Sequence, residues 1–145
     1  MPTGLLGSYK EEAIKEIPLR AAAARVAGDV VRVGVGHVDG AHVDISIADN
    51  TDVYRVAVAL ESAASGDIYR AAVEGTVKAT VSSDTYTRGH GLHILNGTVL
   101  NSDAVAEAPT GASTLNDFAL VLEDGAAGTT SIKCNLRGDA ITAQT

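Results

Sequence analysis

The stretch ALESAASGDIYRAAVEG, residues 59–75, sets two apolar runs around a small, glycine-containing turn that carries Glu61 and Asp67. It reads either as an active-site loop or as the corner between two strands. A looser copy follows at residues 120–138, LVLEDGAAGTTSIKCNLRG, and a shorter echo precedes it at residues 25–34, RVAGDVVRVG. Aligning the two longer stretches pairs Leu60 with Leu122, Glu61 with Glu123, Gly66 with Gly128 and Gly75 with Gly138. Each copy has the order strand, corner, strand, glycine. The first glycine suits a positive φ in the corner, and the second ends the outgoing strand. Asp67 stands where the later copy has Thr129, so the turn carries no shared chemistry. Recurrence without common reactive groups marks a corner.

The flanks of these corners have a period of two. In DVVRVGVGHV (29–38) valines alternate with Arg and Gly, as in a half-buried strand. Asp39-Gly40 before AHVDISI, and Asn96-Gly97 between LHIL and TVL, are hairpin signals. Further strands are expected over 53–60, 67–73, 76–82, 118–123 and 130–136, with corners too short for a crossover helix. The expected fold is all-β: a small antiparallel barrel or sandwich over residues 26–145, with a long loop at 101–117.

Residues 1–25 read differently, as an N-terminal arm. Ser8 and Glu11 have capping-box spacing, Ala13, Ile14 and Ile17 give a weak helical stripe, and Pro18 stops it. A short helix is therefore possible here. Leu5, Leu6, Ile14 and Ile17 have little of their own to pack against. Deleting residues 1–18 is expected to leave the β domain folded.

Composition narrows the function. The chain of 145 residues fits one domain, and its 46% hydrophobic content is mostly Ala and Val, with four Tyr, one Phe and no Trp. A core without large rings is modestly stable alone, which favours self-association. A net charge of −7 argues against nucleic acid, no window has the length of a membrane span, and the start lacks a signal-peptide pattern. With the lone Cys134, these features favour a cytosol-like compartment for synthesis.

No motif calls for catalysis, a cofactor or a metal. His37 is expected to face His42 across the first hairpin, and His90 and His93 stand three apart near a strand entry. Their spacing matches no established metal site, and they are read as surface or turn residues. GVGHVDG (34–40) lacks the spacing of a phosphate loop and leads into a hairpin. DISIADNTD (44–52) lacks the closing Glu of a calcium loop. Cys134 alternates within a strand as a small buried residue, while Glu61, Glu74, Glu107 and Glu123 fall at strand ends and loops.

The pattern AxxxAGDVVRVG followed by VALESAASGDIYRAAVEGTVKA, over about residues 20–82, resembles the head decoration (capsid cement) proteins of tailed bacteriophages. The matching positions are Ala27-Gly28-Asp29, Val58-Ala59-Leu60-Glu61, Gly66-Asp67, Val73 and Gly75. The first glycine of that family's corner is replaced here by Arg55 or Val56. The resemblance implies a structural virion protein with no catalytic residues, made in the host cytoplasm and placed on the capsid exterior. Its implied partners are the major capsid protein and two further copies of itself. The arm residues Leu5, Leu6, Tyr9, Ile14 and Ile17 would then contact the shell or a neighbouring protomer. A carbohydrate-binding or adhesion module and a small histidine-metal β-domain are the alternative readings.

Overall fold

The computed structural model describes residues 15–38, 40–47, 53–95, 98–102, 118–136 and 140–142. Among them are ten strands: β1 (Lys15–Arg20), β2 (Val30–Val38), β3 (Ala41–Ser46), β4 (Val53–Ala59), β5 (Ile68–Tyr86), β6 (Gly91–Leu95), β7 (Thr98–Ser102), β8 (Ala119–Val121), β9 (Gly125–Leu136) and β10 (Ala140–Thr142). Five of them close on themselves in the order β1-β5-β4-β2-β3, with a parallel β3–β1 pairing as the seam. The far half of β5 leaves this barrel and pairs with β9, which carries β8, β6 and β7 in turn. The fold is all-β and contains a barrel, as the alternation of apolar residues predicts.

Two cores follow from this arrangement. Inside the barrel lie Leu19, Ala21, Val31, Ala57, Ala59, Tyr69, Ala71 and Val73. A five-stranded barrel has a narrow bore, and half of these inward positions hold Ala. The alternate residues of the same strands, Val30, Val56, Val58 and Ala72, face outward and pack under the second sheet with Val77, Leu92, Ile94, Phe118, Val121 and Ile132. The alanine-rich composition thus answers to the bore, while the larger side chains gather between the two layers.

The upstream echo proves to be one half of an internal repeat. Leu19, Ala21, Arg25, Gly28 and Asp29 stand at the same spacing as Ala57, Ala59, Ala63, Gly66 and Asp67. The registers repeat crosswise: Leu19 pairs with Tyr69 and Arg20 with Ile68, while Ala57 pairs with Val31 and Val58 with Val30. The loops bond reciprocally as well. Gly28 N donates to Ala59 O and Gly66 N to Ala21 O, each at 2.8 Å. Arg25 and Ala63 exchange both backbone hydrogen bonds, at 2.8 and 2.9 Å. The strand–loop–strand units β1–β2 and β4–β5 are therefore related by a pseudo-two-fold axis through the Arg25–Ala63 bridge.

Three expectations need correction. Residues 67–73 and 76–82 are one strand, because Gly75, at φ 103°, bends β5 where its partner changes from β1 to β9 instead of ending it. The helical stripe does not extend into residues 15–17, which lie extended in β1: pairing with β5 and burial of Leu19 outweigh a weak local pattern. Ile17, assigned above to a contacting arm, packs beside the inner cluster. The arm over 1–25 thus overlaps the barrel from Lys15 onward, and a cut after residue 18 would remove most of β1. Residues 1–14 and most of the loop at 101–117 lie outside the described residues.

Removal of residues 1–14 is expected to leave a cooperative thermal transition followed by circular dichroism. Removal of residues 1–20 deletes β1, separates β3 from β5 and should abolish that transition. Equal melting of the two truncated proteins would show that β1 does not close the barrel.

Candidate functional site

The polar centre of the barrel is Asp44. Its position in β3 turns its carboxylate toward the mouth that the first loop closes, and it is 2% exposed. It accepts hydrogen bonds from Arg25 Nε and Nη2, both at 2.8 Å, from the Tyr69 hydroxyl at 2.6 Å and from the Ala22 amide at 2.9 Å. Four donors from two elements converge on two oxygens. Burial acts to raise the Asp44 pKa, but the bonds from Arg25, Tyr69 and Ala22 outweigh it and hold the carboxyl below its ordinary value. Burial pushes the Tyr69 phenol up, and its bond to Asp44 adds to the shift. Arg25, bonded to that carboxylate, stays more firmly charged than usual. The acid, the cation and the phenol are all committed to one another, so the cluster pins the Arg25 loop to the barrel wall.

The glutamates of the repeated corners also bond to the backbone. Glu61 Oε2 accepts from Arg70 N at 2.8 Å, and Leu60 N donates to Arg70 O at 3.0 Å. In the later copy Glu123 Oε2 accepts from Lys133 N at 3.1 Å, and Leu122 N donates to Lys133 O at 2.9 Å. Gly66 and Gly128 share a φ of 93°, but only Gly66 lies in its corner; Gly128 lies within β9, at an irregularity in the pairing with β5, because that strand already begins at Gly125. The corner reading otherwise holds, with one addition: the shared Leu-Glu pair clips the outgoing strand, a role the alignment contained but the search for reactive groups passed over.

Outside the barrel mouth, residues 25–29 form a ridge between two grooves that both reach Thr80. One, of about 290 Å³, is walled by Arg25 and Asp29. The other, of about 330 Å³, is walled by Ala27 and Gly28 and includes Lys78 and Ser131. Val26 crowns the ridge at 63% exposure.

The histidines fall apart as a group. His37 and His42 are opposite each other in register, as the Asp39-Gly40 turn predicts, and His42 Nδ1 lies 2.9 Å from Gly34 O. His90 sits in the turn before β6, where its amide donates to Thr87 O. His93 is buried at 1% exposure, which corrects its reading as a surface or turn residue: it alternates in β6 with Leu92 and Ile94 of the core between the layers, so both faces of that strand are covered. Among the described residues, no three His, Cys, Asp or Glu side chains converge as metal ligands. Cys134 is fully buried in β9, as its alternation predicts, and burial pushes its thiol up to about 12. Leu5, Leu6, Tyr9 and Ile14 lie outside the described residues.

No protein-family model matches the chain. No curated protein sequence matches it either. Among solved structures it is similar to the head fiber gp8.5 N base of bacteriophage phi29, with a TM-score of 0.55 and 14% sequence identity. The match covers 87% of this chain and 96% of that one. At this identity the likeness is one of fold.

Two predictions follow from the buried groups. Asp44→Ala leaves the Arg25 charge unpaired, a loss of about 3–5 kcal/mol that should appear as a large fall in the melting temperature. Arg25→Ala added to it should cost less than the sum of the single changes, and strict additivity would show that the two residues act independently. The second concerns pH. The depressed pKa of Asp44 gives stability that is present above its ordinary value of 3.8 and lost as pH falls through the folded pKa. Cys134 and Tyr86, ordinarily 9.0 and 10.0, are both pushed up to about 12 by burial, with Asp84 adding to the Tyr86 shift. Their contribution is full below 9.0 and fades as pH climbs toward 12. Denaturant midpoints should therefore form a plateau that falls at both ends, and Cys134 should resist thiol reagents until the protein unfolds.

Proposed function

We propose that this chain is a structural protein of a phage head, attached to the capsid exterior as a homotrimer, where it bridges neighbouring copies of the major capsid protein. The observation that carries the proposal is the fold likeness to a phage head fiber base, which runs over nearly the whole of both chains. The corner pattern shared with capsid decoration proteins supports the same reading independently. The polar side chains at the barrel mouth are spent on holding the fold, and the proposal assigns the chain no catalytic step and no cofactor.

The attachment would act through multiplicity. A small barrel offers each capsid subunit little area, but three linked copies make the second and third contacts intramolecular, which raises avidity by orders of magnitude. With Ile17 packed beside the inner cluster, Leu5, Leu6, Tyr9 and Ile14 are the arm residues available for contact with the shell or a neighbouring protomer.

The test is co-sedimentation of the purified chain with shells of the cognate major capsid protein, before and after expansion, with light scattering to give the mass of the free protein. Saturable binding to the shell in multiples of three, weakened when residues 1–14 are removed, is the expected result. Failure to sediment with either form of the shell would sink the proposal.

A further inference from the structure

Beyond Gly75, β5 and β9 turn Val77, Ala79, Ile132 and Cys134 into the core between the layers. The opposite face of the same ladder carries three polar pairs: Thr76 with Asn135, Lys78 with Lys133 and Thr80 with Ser131. No carboxylate stands among them. Like charges directly opposite each other are unfavourable in a sheet, and elsewhere the chain avoids them. Arg25 is matched with Asp44 at 2.8 Å, Arg55 with Glu74 at 3.6 Å and Arg70 with Glu16 at 3.2 Å. Glu123, in the corner that leads into β9, is engaged by the Lys133 amide. Lys78 is exposed, and among the described residues its ammonium makes no ion pair.

Lys78 stands in the wall of the groove of about 330 Å³ that separates this face from the first loop. The groove's other walls are apolar at Ala27, Ala59 and Leu60, with hydroxyls from Thr80 and Ser131. A Cβ on Gly28 would crowd it, lying 3.0 Å from Thr80 Oγ1 and 3.7 Å from the Lys78 carbonyl oxygen. At Gly66, the counterpart across the pseudo-two-fold axis, the same atom would meet nothing within 4 Å. The second loop therefore has no wall of this kind beside it. The Thr80 amide bonds the Gly28 carbonyl at 2.8 Å, which fixes the loop against the strand before anything binds.

A cation, two hydroxyls and three apolar side chains in one small groove suit a carboxylate with apolar neighbours. The cation takes the charge, the hydroxyls donate to the oxygens, and the apolar walls take the flanking side chains. A nucleic-acid strand fits poorly, since it asks for clustered cations and this chain carries a net charge of −7. We propose that the groove is a docking site for an acidic side chain of a partner protein, an Asp or Glu flanked by apolar residues, with its carboxylate on Lys78 and its neighbours against Ala27 and Leu60. The proposal deepens the attachment reading, and rests on it only for placing that partner in the shell.

The probe is the capped tripeptide acetyl-Leu-Glu-Leu-amide, titrated into the isotope-labelled full-length protein at low salt and followed by amide chemical shifts. Saturable shifts centred on Gly28, Leu60, Thr80 and Ser131 are expected. Gln in place of the peptide's Glu, or Lys78→Gln in the protein, should each weaken binding about fivefold, the yield of one exposed ion pair. Lys78→Arg should restore most of the affinity, and Lys15→Gln, which removes the same charge elsewhere, should leave it unchanged. Indifference to both Gln changes, or an equal loss with Lys15→Gln, overturns the proposal. Equal shifts from sodium acetate also overturn it, since the apolar walls would then play no part. So does a fall in the mass of the free protein on Lys78→Gln, because the occupant would be a second copy. The titration needs no shell: absence of peptide binding sinks the site and leaves the attachment reading standing, and failure of shell sedimentation does the reverse.

Discussion

The barrel depends on two loops that bond to each other across its mouth. Residues 21–29 connect β1 to β2, which do not pair with one another, whereas residues 60–67 connect β4 to β5, which pair only through Val58–Ala72 and Ala59–Ala71. The first connection must therefore cross the end of the barrel, and both loops leave backbone groups without ladder partners, which is costly where water is excluded. The reciprocal bonds between Gly28 and Ala59, Gly66 and Ala21, and Arg25 and Ala63 satisfy both loops at once. Glycine at the third place of each turn accepts a φ near +95°, which other residues enter only at a cost of about 1–2 kcal/mol. At Gly28 a Cβ would also lie 3.0 Å from Thr80 Oγ1, so that position is constrained twice.

Given that clasp, the Asp44 cluster follows. The first loop carries Arg25 where the second carries Ala63, and the pseudo-two-fold axis brings the two together. Only one guanidinium needs a partner, and β3, which has no counterpart in the repeat, supplies the carboxylate. A buried ion pair is a weak source of net stability and a strong source of specificity where its remaining valences are filled, as the Tyr69 hydroxyl and Ala22 amide fill them here. The cluster ties β3 to the first loop and to β5, beside the parallel β3–β1 seam that closes the barrel on that side.

Much of this was legible in the residues. The Asp39-Gly40 turn gave the hairpin register down to the His37–His42 pair, and the alternation in TSIKCNL placed Cys134 inward. The Leu-Glu corner was visible as a recurrence. Its shorter upstream echo did not reveal a two-fold repeat, because the copies share few identities beyond Ala21 with Ala59, the Gly-Asp step, Arg32 with Arg70 and Val35 with Val73; what they keep is spacing, and the pairing that spacing serves is made between copies. β1 was missed for a related reason: KEIPLR has polar residues on both sides of Leu19 and a proline, and its strand character comes from β5 and not from its own pattern. The continuity of β5 through Gly75 was hidden because a glycine that ends a strand and one that bends it look alike in sequence.

The repeat also supplies an internal comparison for the surface. In the second loop the outward positions include Glu61, Ser62 and Ser65, whereas their counterparts in the first are Ala23, Ala24 and Ala27, all exposed, with Val26 beside them. Both loops satisfy the same backbone constraints, so folding alone does not explain why one carries polar and the other apolar side chains. The polar loop has an identified duty, since Glu61 clips β5. Along the apolar loop lies the groove walled by Arg25 and Asp29, and the Thr80 amide of β5 holds the Gly28 carbonyl in place at 2.8 Å. In a chain of net charge −7, a ridge of Ala and Val side chains held in place by backbone bonds is a stretch of surface with little charge of its own, and its apolar side chains are spent on no contact that the fold requires.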